Sequence, residues 1–208
     1  MFGKYTYKER WSVISGASVE ENSAIFNKQV VTMQLLIALI PVAALIVSLI
    51  SKSFLLLDYV HVISGAIWTG TDVFMGVVLA RLMRTLNINE RVEIAKRLTP
   101  RTVFLLPSLA AVTVTAGIYL AEIDGYFNPL SSWVVAAIIV VIILTVQGFA
   151  ILLPNSVRIL LEITKKKGLP DKEKIARLNM INLKLSASQA FFQFVIIFIM
   201  ANLAVGHP

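Results

Sequence analysis

The stretch "DYVHVISGAIWTGTD", Asp58 to Asp72, places a histidine, a tryptophan and two aspartates inside one of the most apolar parts of the chain. Imidazole can ligate a metal or move a proton, and a carboxylate can hold a cation or a proton. On a helix, His61, Asp58, Gly65, Trp68, Asp72, Met75 and Gly76 fall on one stripe about 100° wide, at ~100° per residue. Tyr59, Ile63, Ile67, Phe74 and Val77 lie opposite, suited to lipid or apolar packing. Ser64, Gly65 and Gly76 on or beside the stripe are small enough to admit another helix, which turns the stripe toward a bundle interior. His61 and Asp72 are about 16 Å apart along such a helix, at ~1.5 Å per residue, and so belong to two sites. An aspartate at this depth costs roughly 2.5–3.5 kcal/mol on insertion scales and raises a functional hypothesis by default.

The elements that must position these groups are membrane spans. With 57% hydrophobic and 15% charged residues among 208, and a mean hydropathy of +0.80, the chain reads as an integral membrane protein. Cysteine is absent, which excludes disulfides, thiolate metal sites and cysteine nucleophiles. The only histidines are His61 and His207. Five apolar runs reach the ~20 residues that cross a bilayer as helix, near 30–50, 54–83, 102–121, 133–153 and 185–203. The expected fold is therefore an all-α integral membrane bundle of five transmembrane helices. Residues 1–29 form a cytoplasmic or interfacial lead-in, and 30–205 a single helical domain. The second and fourth runs continue past the hydrocarbon, the latter to about Glu162, so tilt or protrusion is expected. Pro41, Pro107 and Pro154 are expected kinks.

The net charge of +7 is distributed as a topology signal. Of 19 Lys and Arg, 18 fall before the first span, between Arg81 and Arg101, or between Arg158 and Lys184. By the positive-inside rule the N-terminus is cytoplasmic and the C-terminus outside, in a multi-pass cell-membrane protein. Anionic headgroups are the natural partners of that basic face, and nucleic acid is not expected. The first 29 residues show no cleavable signal peptide, and Lys165 to Lys167 read as a solvated loop turning at Gly168 and Pro170. No amphipathic soluble domain is apparent.

Antiparallel matching of depths puts Gln34, Ser108, Gln147 and Gln189 level with Asp72, an inner polar layer with one member from each span. An outer layer would join His61, Thr115 and Met200, with Tyr119 and Glu122 just above. The fifth span lines up Asn182, Ser186, Gln189, Gln193 and Met200 on one face. The structural alternative for the Ser, Thr and Gln residues is interhelical hydrogen bonding, at around 0.6 kcal/mol each. For Trp68 the alternative is packing, and for His61 a buried, hydrogen-bonded imidazole.

His61, six residues, Trp68, Thr69 and Gly70 resemble the "H-x6-W-x-G" signature of membrane proteins grouped around copper resistance protein D. "FLLPSLAAVTVTAGIYLA", with Pro107, Thr115 and Gly117, and the final "LSASQAFFQFVIIFIMANL" are also similar to elements of that group. The HemJ-type protoporphyrinogen oxidases, which bind b-type haem, share the His-to-Trp spacing, although Gly70 follows Trp68 by two residues where they have three. The resemblance covers about Leu55 to Leu203. It implies copper or haem as cofactor.

Three functions follow as expectations. The first is a membrane redox subunit holding b-type haem through His61, with Met200 as the level axial partner and Trp68 and Gly65 flanking the macrocycle. The second is a copper or ion-coupled carrier, with Asp72 as its protonatable or cation-binding group, supported by Gln147 and Gln189, and with His61 and Met200 as a soft copper station. The third is an accessory subunit of a larger membrane complex. A soluble-type hydrolase is disfavoured, because no nucleophile elbow, Ser/His/acid arrangement or phosphate loop occurs, and the chain on its own leans away from an enzyme.

Overall fold

Unbroken apolar sequence can cross hydrocarbon only if its backbone pairs with itself, which for a single segment means a helix. In the computed structural model, which describes residues 7–165 and 169–206 and side chains from Gln29 onward, the described chain is helical almost throughout. His207, the 166–168 part of the expected lysine loop and the first six residues lie outside the described residues.

Helix α1 spans Tyr7–Ser51, so the lead-in continues directly into the first span. Ser53 caps α2, Phe54–Val73, which passes through a π-helical segment, Phe74–Leu79, into α3, Ala80–Thr85. Helix α4, Ile88–Thr102, is followed by α5, Leu105–Ile123. Helix α6, Ser132–Thr145, runs through a second π-helical segment, Val146–Leu152, into α7, Leu153–Ile163. Helix α8 spans Lys172–Ala204. Among the described residues five helical stretches are long and apolar enough to cross a membrane: Gln29–Ser51, Phe54–Thr85, Leu105–Ile123, Ser132–Ile163 and Lys172–Ala204. The second and fourth, at 32 residues each, run about 48 Å at ~1.5 Å per residue, well beyond a ~30 Å hydrocarbon core.

Three apolar clusters hold the spans together. Leu45, Leu57, Val60, Val112 and Ala116 join α1, α2 and α5. Trp68, Leu109, Ala110, Ala137, Leu144 and Ile199 join α2, α5, α6 and α8. Met75, Met83 and Leu183 lock the second span to α8. Large apolar residues such as Leu36, Ile50, Tyr59, Ile139 and Phe198 are exposed on the outside. That is the inside-out surface expected of a chain whose solvent is lipid.

Two features depart from the sequence reading. Residues 88–102, read from sequence only as part of the basic stretch between the second and third spans, form the amphipathic helix α4. Asn87 accepts from the Asn89 and Glu90 amides while the Glu90 carboxylate accepts from the Asn87 amide, a complete capping box. The fifth helix also begins at Lys172 rather than near Leu185, capped by Asp171 and carried by the buried stripe Ile175, Leu178, Asn179, Asn182 and Leu183. Together α4, α7 and the start of α8 build a fourth cluster, Val92, Ala95, Ile159, Ile175 and Leu178, at the basic end of the bundle. Glu162 ties the α7–α8 connection by accepting from Lys174 Nζ (3.0 Å), Lys165 Nζ (3.3 Å) and the Asp171 amide (3.3 Å).

The prolines act differently from one another. Pro41 lies inside α1. Pro107 falls in the first turn of α5, where its missing N–H has no intrahelical partner to lose. Pro154 opens α7 directly after the second π segment. A proline ring collides with the carbonyl four residues back, and a locally widened turn relieves that clash.

Candidate functional site

Asp72 sits at the inner end of α2, at the junction with the π segment, and is 1% exposed. What places α8 against it is Gly76. A Cβ built there would lie 2.3 Å from the Ala187 amide nitrogen and 2.4 Å from its Cα, so the two backbones meet at a distance no side chain allows. Ser186 beside that contact, and Gln189 and Gln193 further along the same face of α8, are consequently all buried. Gln193 Nε2 donates to Asp72 Oδ2 at 3.0 Å. The Ser186 and Trp68 side chains line the same cavity as the carboxylate. The Gln193 amide thus replaces part of the hydration an ionised aspartate loses on burial.

From Asp72 a cavity of about 60 Å³ extends between α8, the second π segment and the C-terminal end of α4. Its polar lining includes Thr99, Asn179, Asn182, Ser186 and Gln189. At ~10–15 Å³ per water-sized sphere it has room for roughly four to six waters or a small ion, far too little for a macrocycle.

The two π segments shape this lining. A wider turn moves backbone bonds from i+4 to i+5 and leaves nearby carbonyls in need of donors. Amides from α8 supply them: Gln189 Nε2 donates to the Leu144 carbonyl (3.1 Å), and Asn182 Nδ2 to the Leu152 carbonyl (3.4 Å) and to Ser156 Oγ (3.0 Å). Gln147 Nε2 donates to Ser188 Oγ at 3.2 Å. Every one of these amide nitrogens is therefore occupied. The oxygens are not: Gln147 Oε1, Asn182 Oδ1 and Gln193 Oε1 are buried with no protein donor. Each such orphan acceptor costs about 1–3 kcal/mol and calls for an electropositive neighbour.

The structure brings together only part of the inner polar layer. Asp72 and Gln189 line one cavity, but the amide bonded to Asp72 is that of Gln193, one turn outward of Gln189. Gln147 pairs with Ser188, and Ser108 donates to the Ala38 carbonyl, tying α5 to α1. Gln34 is half-buried on α1. Thr99, Thr102, Ser156 and Asn179 were missed as lining. The capping box of α4 and the apolar stripe from Ile175 to Leu183 were the signals that could have found them.

The outer layer does not converge. His61 Nδ1 lies 2.9 Å from the Thr113 carbonyl, which only accepts, so Nδ1 carries the proton and Nε2 is left as an acceptor. A Cβ on Gly117 would stand 2.8 Å from His61 Cε1, and one on Gly65 3.3 Å from Thr113 Cγ2. The imidazole and Gly65 are thus pressed onto α5, and Trp68 is packed in the apolar core. These contacts fix one edge of the imidazole on α5. Met200 is 39% exposed on the outer surface of α8, and Tyr119 and Glu122 are likewise exposed. Among the described residues no three His, Cys, Asp or Glu side chains cluster as a metal site.

Comparison with protein-family models, curated proteins and solved structures yields no match to this chain. The fold and its site define a five-span helical membrane bundle with a buried carboxylate, Asp72, at the head of a small cavity whose largely apolar lining carries several polar side chains.

Proposed function

We propose that the chain is a carrier or conducting subunit of the cell membrane for protons or small cations, with Asp72 as the exchanging group. The observation that carries this reading is the junction of a buried carboxylate with a cavity that carries hydroxyl and amide side chains and runs toward the basic end. A packing role would require neither an ionisable group nor a cavity beside it. Under the positive-inside rule the basic end is cytoplasmic, so ions reach Asp72 from that side past Thr99 and Thr102. Anionic headgroups neighbour the basic end, and lipid or other membrane subunits cover the apolar exterior. The redox and copper readings gain less support: His61 is held on α5 by Thr113 and Gly117, and Met200 faces outward.

Purified protein in liposomes, with an imposed pH or cation gradient and a trapped indicator, tests the proposal. Wild-type protein should carry flux that falls at least about tenfold in Asp72→Asn while the variant still elutes as a folded species, a loss equal to ~1.4 kcal/mol or more. Flux unchanged by the substitution, or absent from well-folded wild-type protein, overturns it.

A further inference from the structure

The donors and acceptors around Asp72 specify which ion the cavity takes. The amide nitrogens of Asn182, Gln189 and Gln193 are all engaged by carbonyls, a hydroxyl or the carboxylate itself, and Asn182 Oδ1 and Gln193 Oε1 meet no protein donor. A buried carboxylate beside an unpaired amide oxygen whose own nitrogen is engaged, as at Asn182, complements a cation and repels an anion. The lining contains one ionisable group, Asp72, and one sulfur, from Met75. Soft Cu(I) selects thiolate and thioether ligands, whereas carbonyl, hydroxyl and carboxylate oxygens select hard ions. Charge then fixes the valence. One carboxylate neutralises one positive charge, while a divalent ion would leave an uncompensated charge in the low-dielectric interior.

We infer that the cavity between α8, the second π segment and α4 is a binding site for a monovalent alkali-metal ion. Asp72 supplies the charge, and Asn182, with Asn179 and Ser186 beside it, supplies neutral oxygens. The inference rests on Asp72 being the exchanging group and goes further by naming the ion it exchanges.

The test is thermal unfolding of the detergent-solubilised full chain in NaCl, KCl or CaCl2 against choline chloride at constant ionic strength. NaCl or KCl should raise Tm saturably, by about 5–10 °C at a hundredfold excess over Kd. The shift should vanish in Asp72→Asn, and its midpoint should move at least tenfold higher in Asn182→Leu. CaCl2 should give no more than choline in the wild type. Asn179→Asp adds a second carboxylate to the same lining and should acquire a CaCl2 response, a gain that misfolding cannot imitate. Equal Tm in NaCl, KCl and choline, a response retained in Asp72→Asn, or a wild-type preference for CaCl2 overturns the inference. If the alkali-metal response is absent while Asp72→Asn still abolishes proton flux in liposomes, this inference fails and the carrier reading stands. If Asp72→Asn leaves flux intact, the carrier reading fails as well.

Discussion

Gly76 sets the distance between the second span and α8, and through it the geometry at Asp72. Replacing it with alanine places a methyl 2.3 Å from the Ala187 nitrogen, where ordinary contact begins at 3.4 Å, so the helices must part by about 1 Å. The atoms in the way are backbone and Cβ, with no rotamer to turn aside. Overpacking of this kind costs about 1–3 kcal/mol. Gly→Ala in a helix also contributes a stabilising ~0.5–1 kcal/mol, and that contribution can be removed by comparison. Gly70 lies on the same rod with nothing within 4 Å of its built Cβ. Gly70→Ala therefore carries the helix effect alone, and the difference between the two variants isolates the steric one. Thermal or denaturant unfolding in detergent should show Gly76→Ala less stable than Gly70→Ala by about 1–3 kcal/mol. A 1 Å separation would also stretch the 3.0 Å Gln193–Asp72 bond to about 4 Å, beyond hydrogen bonding. Gly76→Ala should thus lose flux while Gly70→Ala keeps it. If the two variants match in stability and flux, the close approach at Ala187 does not organise the site.

Other perturbations test the remaining parts. Ile175, fully buried in the cluster at the basic end, should cost about 2–5 kcal/mol when cut to alanine, with faster amide exchange in α4 as the local readout. Asn87→Ala removes the side-chain half of the capping box, the acceptor of the Asn89 and Glu90 amides, and should destabilise α4 by about 1 kcal/mol, seen as exchange confined to its first turns. On the carrier reading, purified protein supplied with haemin should show no Soret band that is lost in His61→Ala; such a band would favour the haem reading instead.

Spans were legible because hydropathy over twenty residues is a strong signal, and the described second and fourth helices run on past the hydrocarbon as their composition implied. The water-side cap was not, because α4 and the start of α8 are short, charged and amphipathic. Their pattern is diluted by the basic residues that mark topology. The shared site of Asp72 and Gln189 could be read from sequence, but the amide bonded to Asp72 could not. Matching depths along antiparallel helices leaves an error of about one turn, which is the offset between Gln189 and Gln193. Depth also says nothing about azimuth. For that reason Met200, Tyr119 and Glu122, which the sequence sets level with or just above His61, are exposed on the outside. The π segments had no signature beyond Pro154, since the Gly76–Ala187 approach is a property of two helices together.

The central claim, that Asp72 exchanges a cation or proton with its cavity, is tested most directly by infrared difference spectroscopy on reconstituted protein, with NaCl exchanged for choline chloride and pH stepped. A carboxyl band that changes in the wild type and is missing from Asp72→Asn is the expected result. A difference spectrum identical in the two proteins would contradict the claim.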